Sequence, residues 1–174
     1  MPKDALEIID TAVKIGLGAL ITGVSSYLLA NRNYKNERLK VNLEQDRLIL
    51  KEIAVDFENA NNGTNQFVID IHDYHFNKSC NLGDLSQRLA KSLLDSTSHI
   101  EKAMANSNLL GLSDIFTELT EYLDILNKLH TSSYNISEQF QDYIHSTQER
   151  LELIKNTRDS IYPKISQAYI GLNG

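Results

Sequence analysis

The sequence has few residues that break helices or form cross-links. Only two prolines occur, Pro2 and Pro163, and there is one cysteine and no tryptophan among the 174 residues. Because proline is the residue that most disrupts a helix, its absence from 3 to 162 permits long helices. The lone thiol of Cys80 excludes an intramolecular disulfide and suits a reducing compartment.

Positive charge and catalytic motifs are also scarce. Seventeen Lys and Arg residues stand against 23 Asp and Glu, which gives a formal net charge of −6. Proteins that bind DNA or RNA duplexes are usually basic, so we expect no such binding. The sequence has no phosphate-binding glycine loop, no dinucleotide fingerprint and no G-x-S-x-G nucleophile elbow. We therefore expect no catalytic residues, no cofactor and no enzymatic activity.

One long apolar segment lies near the N-terminus. Ile15 to Ala30 carries no charge, and the extension to Thr11–Asn31 adds only Lys14. A helix over 11–31 would be about 31 Å long, close to the ~30 Å hydrocarbon core of a bilayer. The segment predicts a transmembrane helix over 11–31, preceded by an extracytoplasmic lead over 1–10. A buried core helix and a cleaved signal peptide are the alternatives, and the acidic lead argues against the signal peptide.

The flanks of this segment predict its orientation. Only Lys3 precedes it, among three acidic residues, whereas basic residues follow it closely. The basic residues are Arg32, Lys35, Arg38, Lys40, Arg47 and Lys51. Positive residues favour the cytoplasmic side. The sequence therefore predicts a single-pass protein of the bacterial inner membrane with the lipid bilayer as partner and a cytoplasmic C-terminal domain.

Small residues recur within the apolar segment at intervals of four and three. They are Ala12, Gly16, Ala19, Gly23, Ser26 and Ala30. Such a helix face lets two backbones approach closely, which favours association of membrane helices. We expect a homo-oligomer on this basis. The alternative is that glycine and alanine are simply frequent in membrane helices.

The rest of the chain has the periodicity of helices. Turn signals around Gly63, Gly83 and Gly111 separate predicted helices over 32–60, 64–76, 84–107, 113–132 and 136–170. Apolar residues at three- and four-residue spacing occur in these segments, as in Leu39, Leu43, Leu50, Ile53 and Phe57, with Asp46 at the one polar position. The predicted fold is all-α. The transmembrane helix continues into a stiff stalk helix over 32–60, and a cytoplasmic bundle over 61–174 completes four to five helices.

Two groups of residues are candidate sites. Arg150, Lys155, Arg158 and Lys164 lie on the last predicted helix beside hydroxyl and amide side chains, and such a set could bind the phosphates of a cyclic nucleotide. The alternative is a solvated helix face with Arg158 paired to an acid such as Asp46. His72 and His75 share a helix face, but two ligands are too few for a metal site, so no metal is predicted. Pro163 is expected to kink or end the last helix near Tyr162.

The overall plan resembles small membrane-anchored proteins of bacterial antiviral defence, in particular the membrane effectors of type III CRISPR systems. The resemblance rests on the segment Val13-Lys14-Ile15-Gly16-Leu17-Gly18-Ala19-Leu20-Ile21, the basic flank and the helical domain that follows. It implies a cytoplasmic domain that binds a cyclic oligoadenylate and membrane helices that then disturb the bilayer. No binding residue is carried over from it.

Two hypotheses follow from the sequence. In the first, the chain is an oligomeric membrane-anchored effector that senses a signal and perturbs the membrane. In the second, the chain is a passive anchor or scaffold that recruits a soluble protein partner.

Overall fold

Four α-helices form the computed structural model, which describes residues 2–78, 80–134, 136 and 140–172. The side chains of 2–21 and 140–142 lie outside this description. The helices are α1 (Pro2–Asn77), α2 (Leu82–Leu109), α3 (Ser113–Ser133) and α4 (Phe140–Gly171). No strand occurs in the described ranges, so the all-α prediction is confirmed.

The chain forms two compact units, Met1–Gln45 and Asp46–Gly174. The second unit is an antiparallel four-helix bundle made of the later part of α1 together with α2, α3 and α4. Asp56 lies 2.8 Å from His99, and Glu52 accepts a hydrogen bond from Asn106, so α1 and α2 run in opposite directions. Short connections between successive helices favour this up-down-up-down arrangement.

The bundle core consists of apolar residues at three- and four-residue spacing on each helix. The α1 contribution is Leu50, Ile53, Phe57, Ala60, Phe67 and Ile71. The α2 and α3 contributions are Leu85, Leu89, Leu93, Ile100, Ala103, Ile115, Leu119, Tyr122, Leu126 and Leu129. The α4 contribution is Tyr143, Ile154, Ile161 and Ile165. Each helix thus contributes one apolar face to a common core, as the sequence periodicity predicts.

Two of the predicted turns lie where helices end. Asn81 caps α2, because its side-chain Oδ1 accepts a hydrogen bond from the Asp84 backbone N–H at 2.9 Å. After α2, Gly111 has a φ of +66°, and the next amide, of Leu112, donates to the Ser107 carbonyl at 2.9 Å. This is the Schellman geometry that glycine favours at helix ends.

The predicted helix break at 61–63 is wrong, because α1 continues to Asn77. The stretch resembles a turn in sequence, but its polar residues have partners inside the bundle. Asn61 is buried and bonded to two tyrosines, and Thr64 donates to the Ala60 carbonyl at 3.0 Å. Gly63 allows close approach of α2, since a Cβ there would lie 2.2 Å from Ser96 Oγ. Tertiary packing therefore overrides the local turn preference.

Pro163 does not end α4, which continues to Gly171. Proline at 163 removes the hydrogen bond to the carbonyl of Asp159, four residues earlier. Asp159 is exposed, so water can solvate that carbonyl. The apolar face on both sides of the proline is buried, at Ile161 and Ile165, and this packing favours continuation of the helix.

The predicted membrane span is not supported. Within the described residues, no helix contains a stretch both long enough and apolar enough to cross a bilayer. On this finding the transmembrane helix over 11–31 and the location in the inner membrane are wrong. In the described part of that segment, Thr22, Ser25 and Ser26 place three hydroxyls within five residues, which lowers its hydropathy. Its first half, 11–21, lies outside the described side chains.

The small-residue face of the same segment is described only in part. Ala12, Gly16 and Ala19 lie outside the described side chains. Gly23, Ser26 and Ala30 are exposed, and a Cβ added at Gly23 would meet no atom within 4 Å. Among the described residues, the second half of this face is therefore exposed.

Candidate functional site

The four cations that the sequence singled out lie along α4 without converging on one point. Arg150 and Lys164 are separated by 14 residues, about 21 Å of helix. Arg150 donates to the Lys128 carbonyl at 3.2 Å and to Ser132 Oγ at 3.0 Å, both at the end of α3. The Lys164 ammonium contacts Glu118 on α3. Two of the four cations in the predicted phosphate site, Arg150 and Lys164, therefore already contact acceptors on α3.

The other two cations are Lys155, which faces solvent, and Arg158, which pairs with the adjacent Asp159. Lys155 is exposed. Arg158 binds Asp159 Oδ1 through Nε at 3.1 Å and Nη2 at 3.0 Å, which differs from the pairing with Asp46 considered from sequence. Binding of a nucleotide by these four residues stays a prediction.

A layer of polar side chains crosses the middle of the bundle. The Tyr122 hydroxyl donates to Asn61 Oδ1 at 2.8 Å, and Asn61 Nδ2 donates to Tyr162 Oη at 3.1 Å. Tyr162 in turn donates to Glu58. The Thr64 hydroxyl, which donates to the Ala60 carbonyl, lies 3.3 Å from Tyr122 Oη. The layer links α1, α3 and α4 through matched donors and acceptors. Buried hydrogen-bond networks of this kind typically fix the register of packed helices.

Burial changes the acidity of these phenols. Desolvation raises the pKa of Tyr122 to about 12, a rise that its hydrogen bond with Thr64 partly offsets. Desolvation also raises the pKa of Tyr162, and its hydrogen bond to the Glu58 carboxylate raises it further. Both tyrosines therefore stay protonated at neutral pH and act as hydrogen-bond donors.

A cavity of about 480 Å³ lies between the last turns of α1 and the first described turns of α4. Its apolar walls are Val68, Ile71, Phe76, Ile144 and Leu151. Its polar lining is His72, His75, His145, Thr147 and Gln148. The sequence placed His72 and His75 on one helix face, but it gave no indication that His145 of α4 would join them. His72 and His75 lie near the end of α1 and His145 lies near the start of α4, and these two ends meet because the helices are antiparallel. Histidines near both ends are the signal that sequence reasoning could have used.

The aromatic rings of the cavity lie against one another. The ring centroids of His72 and Phe76 are 4.4 Å apart, and those of His75 and Phe76 are 4.8 Å apart with the rings nearly perpendicular. No group of three or more His, Cys, Asp or Glu residues in the described part of the chain has the arrangement of a metal site.

Thr147 is the unusual polar residue of the cavity. The residue is 2% exposed, and its hydroxyl lies beside the hydroxyl of Tyr143. Burial raises the pKa of Tyr143 to about 12, and its hydrogen bond with Thr147 partly offsets that rise.

The arm, defined as residues 22–45 of α1, has a different character from the bundle. Every one of its side chains is exposed. Its large apolar residues are Val24, Tyr27, Leu28, Leu29, Tyr34, Leu39, Val41 and Leu43, with exposed fractions between 39% and 70%. The large apolar residues of the arm are thus exposed in the part of the chain that the structure describes.

Comparison with known proteins identifies no relative. No family model, no curated protein and no solved structure matches this chain. The resemblance to membrane effectors of antiviral defence therefore stays a prediction, and the function must be argued from the chain itself.

Proposed function

We propose that this chain is a self-assembling scaffold in which the arm pairs with the arm of a second copy. The exposure of all arm side chains, eight of them large and apolar, is the observation that carries the proposal. Helices in proteins gain most of their stability by burying an apolar face. The arm lacks that burial, and a second arm offers a partner of the same length and pattern. The proposal retains two expectations from the sequence, the scaffold role and the homo-oligomer. It does not include the membrane anchor.

The pairing face is the arm seam, which we define as Leu29, Arg32, Asn36, Leu39 and Leu43. Counted along the sequence, these positions continue the three- and four-residue spacing of Leu50, Ile53 and Phe57, with Asp46 between the two sets. In the bundle that spacing marks the face that is buried. In the arm the same face is exposed, and its leucines are suited to the knobs-into-holes packing of a coiled coil.

Charge favours an antiparallel pair of arms. In a parallel pair, Arg32 would face Arg32 of the second copy, and Lys35 would face Lys40 across the flanking positions. In an antiparallel pair, Leu29 packs on Leu39 of the second copy, and Arg32 lies beside Asn36, whose carbonyl can accept its hydrogen bonds.

The outer face of the arm is a weaker candidate for pairing. Tyr27, Tyr34 and Val41 repeat every seven residues on that face. The Arg38 guanidinium covers the Tyr34 ring, with Cζ 5.5 Å from its centroid. This cation–π contact shields part of the outer face within the same helix. Among the described residues, no comparable contact covers the seam.

The expected affinity is modest. Only three leucines per arm lie on the seam, and Arg32 and Asn36 interrupt the apolar stripe between Leu29 and Leu39. Polar residues at core positions of a coiled coil lower its stability. We expect a dimer with a Kd in about the micromolar range, which dissociates on dilution.

Sedimentation equilibrium of the full-length chain tests the proposal, with loading concentrations of roughly 1–200 μM. The wild-type chain should change from the mass of one chain to twice that mass as concentration rises. The double variant Leu39→Asp/Leu43→Asp should stay at the mass of one chain, because buried unpaired carboxylates oppose pairing.

The matched control is Tyr34→Asp/Val41→Asp, which adds the same charge to the outer face. This variant should still dimerise. Far-ultraviolet circular dichroism and thermal unfolding check that both variants keep the bundle. A wild-type chain that stays at the mass of one chain throughout, or equal loss of dimer in both variants, would contradict the proposal.

A further inference from the structure

We infer that a second face of α1, on the bundle itself, binds the same face of another copy of the chain in a parallel, in-register pair. The face is the bundle stripe, which we define as Leu48, Val55, Asn62, Ile69 and Phe76. These residues recur every seven positions, which is the repeat that keeps side chains on the contact face of a coiled coil. All five lie within the compact unit Asp46–Gly174, so this pairing does not depend on the arm.

The bundle stripe is exposed along its whole length. Its four apolar members are between 50% and 66% exposed, and Asn62 is exposed as well. Core residues such as Leu50 and Phe57 lie two positions from a stripe residue, about 200° around the helix, so the stripe faces away from the core. Single exposed apolar residues are ordinary on protein surfaces, but a regular row of them along one helix is typical of an interaction surface.

The residue types of the stripe favour a second copy as the partner. In a parallel, in-register pair each stripe residue faces the same residue of the other copy. The β-branched Val55 and Ile69 suit the core of a two-stranded parallel coiled coil, and one asparagine in such a core specifies the register. Asn62 lies at the middle of the stripe, where its amide can donate to the amide carbonyl of the second copy's Asn62. A slip of seven residues would instead place Asn62 against an apolar side chain.

The charges beside the stripe favour the parallel direction. The residues three and four positions after a stripe residue flank the contact on opposite sides, and two such pairs are Lys51 with Glu52 and His72 with Asp73. In a parallel pair the third position faces the fourth position of the other copy, so Lys51 meets Glu52. In the same way the His72 imidazole meets the Asp73 carboxylate. Glu52 accepts from Asn106 at 3.3 Å through Oε2, and its second carboxylate oxygen can accept from Lys51.

An antiparallel pair would bring like charges together. In the antiparallel arrangement that covers the whole stripe, centred on Asn62, each third position faces a third position and each fourth faces a fourth. Glu52 would then lie beside Asp73 of the second copy, and Lys51 would lie beside His72. Like charges at such positions oppose association, whereas opposite charges determine the orientation of paired helices. The parallel pair is therefore the one that the sequence of α1 supports.

The stripe forms a narrow interface. One residue per seven contributes an apolar side chain, where a strong coiled coil has two, so we expect a Kd in about the millimolar range. A dimer held by its arms carries two bundle stripes, one from each copy. The stripes can therefore link such dimers into larger assemblies, in which many weak contacts act together. This last step rests on the proposed pairing of arms, whereas the pairing of stripes does not.

Disulfide trapping in the full-length chain tests the inference, because it detects weak pairs. Cys80→Ser removes the native thiol, and Leu39→Asp/Leu43→Asp disables the arm seam. In this background, association through the stripe succeeds or fails independently of the pairing of arms. A single cysteine is then introduced by Val55→Cys or Ile69→Cys, and the chain is equilibrated in a glutathione redox buffer. Circular dichroism and thermal unfolding check that each variant keeps the bundle.

Each stripe cysteine should form a covalent dimer in at least about fivefold greater yield than Leu94→Cys, a control at a 59% exposed position of α2. When the Val55→Cys and Ile69→Cys chains are mixed, mass spectrometry should find few disulfides between positions 55 and 69. In a parallel pair these positions are 14 residues apart, about 21 Å along the helices. A yield equal to that of Leu94→Cys, or a majority of mixed disulfides, would overturn the inference.

An exchange of charge tests the direction of pairing separately. Lys51→Glu should lower the yield of the Val55→Cys dimer about threefold, because two carboxylates then face each other across the pair. Addition of Glu52→Lys should restore the yield, since opposite charges face each other again. Lys102→Glu, at an exposed position of α2, is the control and should leave the yield unchanged. A folded double variant whose yield stays as low as that of Lys51→Glu would refute the parallel arrangement.

Discussion

The Tyr122 hydroxyl donates a 2.8 Å hydrogen bond to Asn61 Oδ1 inside the bundle, between helices α3 and α1. Both residues are buried, and Asn61 uses its amide nitrogen to donate onward to Tyr162 of α4. A one-turn slip of α1 against α3 would separate these groups and leave each without its partner. The pair therefore specifies one alignment of helices whose apolar faces alone would tolerate several.

Removal of the Tyr122 hydroxyl should destabilise the bundle. Tyr122→Phe leaves Asn61 Oδ1 buried without this donor, so we expect a loss of about 1–3 kcal/mol in the free energy of unfolding, measured with urea. Tyr134→Phe is the control, because Tyr134 is exposed and its hydroxyl contacts only His130 among the described partners. That change should stay within about 0.5 kcal/mol of wild type. Equal effects of the two variants would argue against the buried layer.

Alkaline pH should unfold the protein through its buried phenols. Burial raises the pKa of Tyr122 and of Tyr143 from 10.0 to about 12, so both stay protonated in the folded chain while the unfolded chain loses their protons. Stability from this source is fully present below pH 10 and declines as pH rises towards 12. Each group contributes a loss of up to about 3 kcal/mol at the rate of 1.36 kcal/mol per pKa unit.

Urea unfolding at a series of pH values measures this decline. The transition midpoint should be steady from about pH 8 to 10 and should then fall, and the slope of that fall should be smaller in Tyr122→Phe. A midpoint that is independent of pH up to about 12 would show that the phenols are already solvated in the folded chain.

Two glycines of α1 should respond in opposite ways to alanine. At Gly63 a Cβ would lie 2.2 Å from Ser96 Oγ and 3.0 Å from the Ser92 carbonyl, so Gly63→Ala should cost about 1–3 kcal/mol through overpacking. At Gly23 a Cβ meets nothing within 4 Å, so Gly23→Ala should raise helix content, since alanine favours helix by about 1 kcal/mol over glycine. Urea unfolding and circular dichroism measure the two effects. A stabilised Gly63→Ala variant would contradict the close approach of α1 and α2.

Arg150 should be structural in the unliganded chain. It donates to the Lys128 carbonyl and to Ser132 Oγ near the C-terminal end of α3, and so links α4 to α3. We expect Arg150→Ala to lower the free energy of unfolding by about 1–2 kcal/mol and Lys155→Ala, at an exposed position, to change it by under about 0.5 kcal/mol. Thermal unfolding of both variants checks this. An unchanged free energy of unfolding in Arg150→Ala would show that this side chain is not needed for stability. The ligand role predicted from sequence would then be the better explanation.

The helical periodicity was sufficient to predict most of the bundle. Core positions such as Leu85, Leu119 and Ile161 lie on apolar stripes that a reader can count in the sequence. The helix break predicted at Asn61 to Gly63 is wrong. Asparagine and glycine favour turns, but they also occur where two helices approach closely, and the local sequence does not distinguish these two settings. Only the partners, Tyr122 and Ser96, distinguish the two, and they are distant in sequence.

The candidate sites were harder to predict. His72 and His75 stood out by spacing, but the cavity also needs residues of α4, and the antiparallel alignment that brings these together is a tertiary property. Thr147 is buried beside the same cavity, and its position there depends on the packing of α4 against α1. The segment over 11–31, whose second half lies in the arm, predicts a membrane span from its apolar content, because composition alone does not distinguish a lipid partner from a protein partner.

The separation of two spin labels at position 45 tests the pairing of arms most directly. Cys80→Ser removes the native thiol, and Gln45→Cys places one label per chain at an exposed position of the arm. In the antiparallel pair, residue 45 faces residue 23 of the second copy, so the two labels are 22 residues apart along the helices, about 33 Å at 1.5 Å per residue. Pulsed electron paramagnetic resonance of the full chain at concentrations above the Kd should show this distance. A distance under about 20 Å would indicate parallel arms at the usual 8–10 Å interaxial spacing, and the absence of any dipolar coupling would contradict pairing itself.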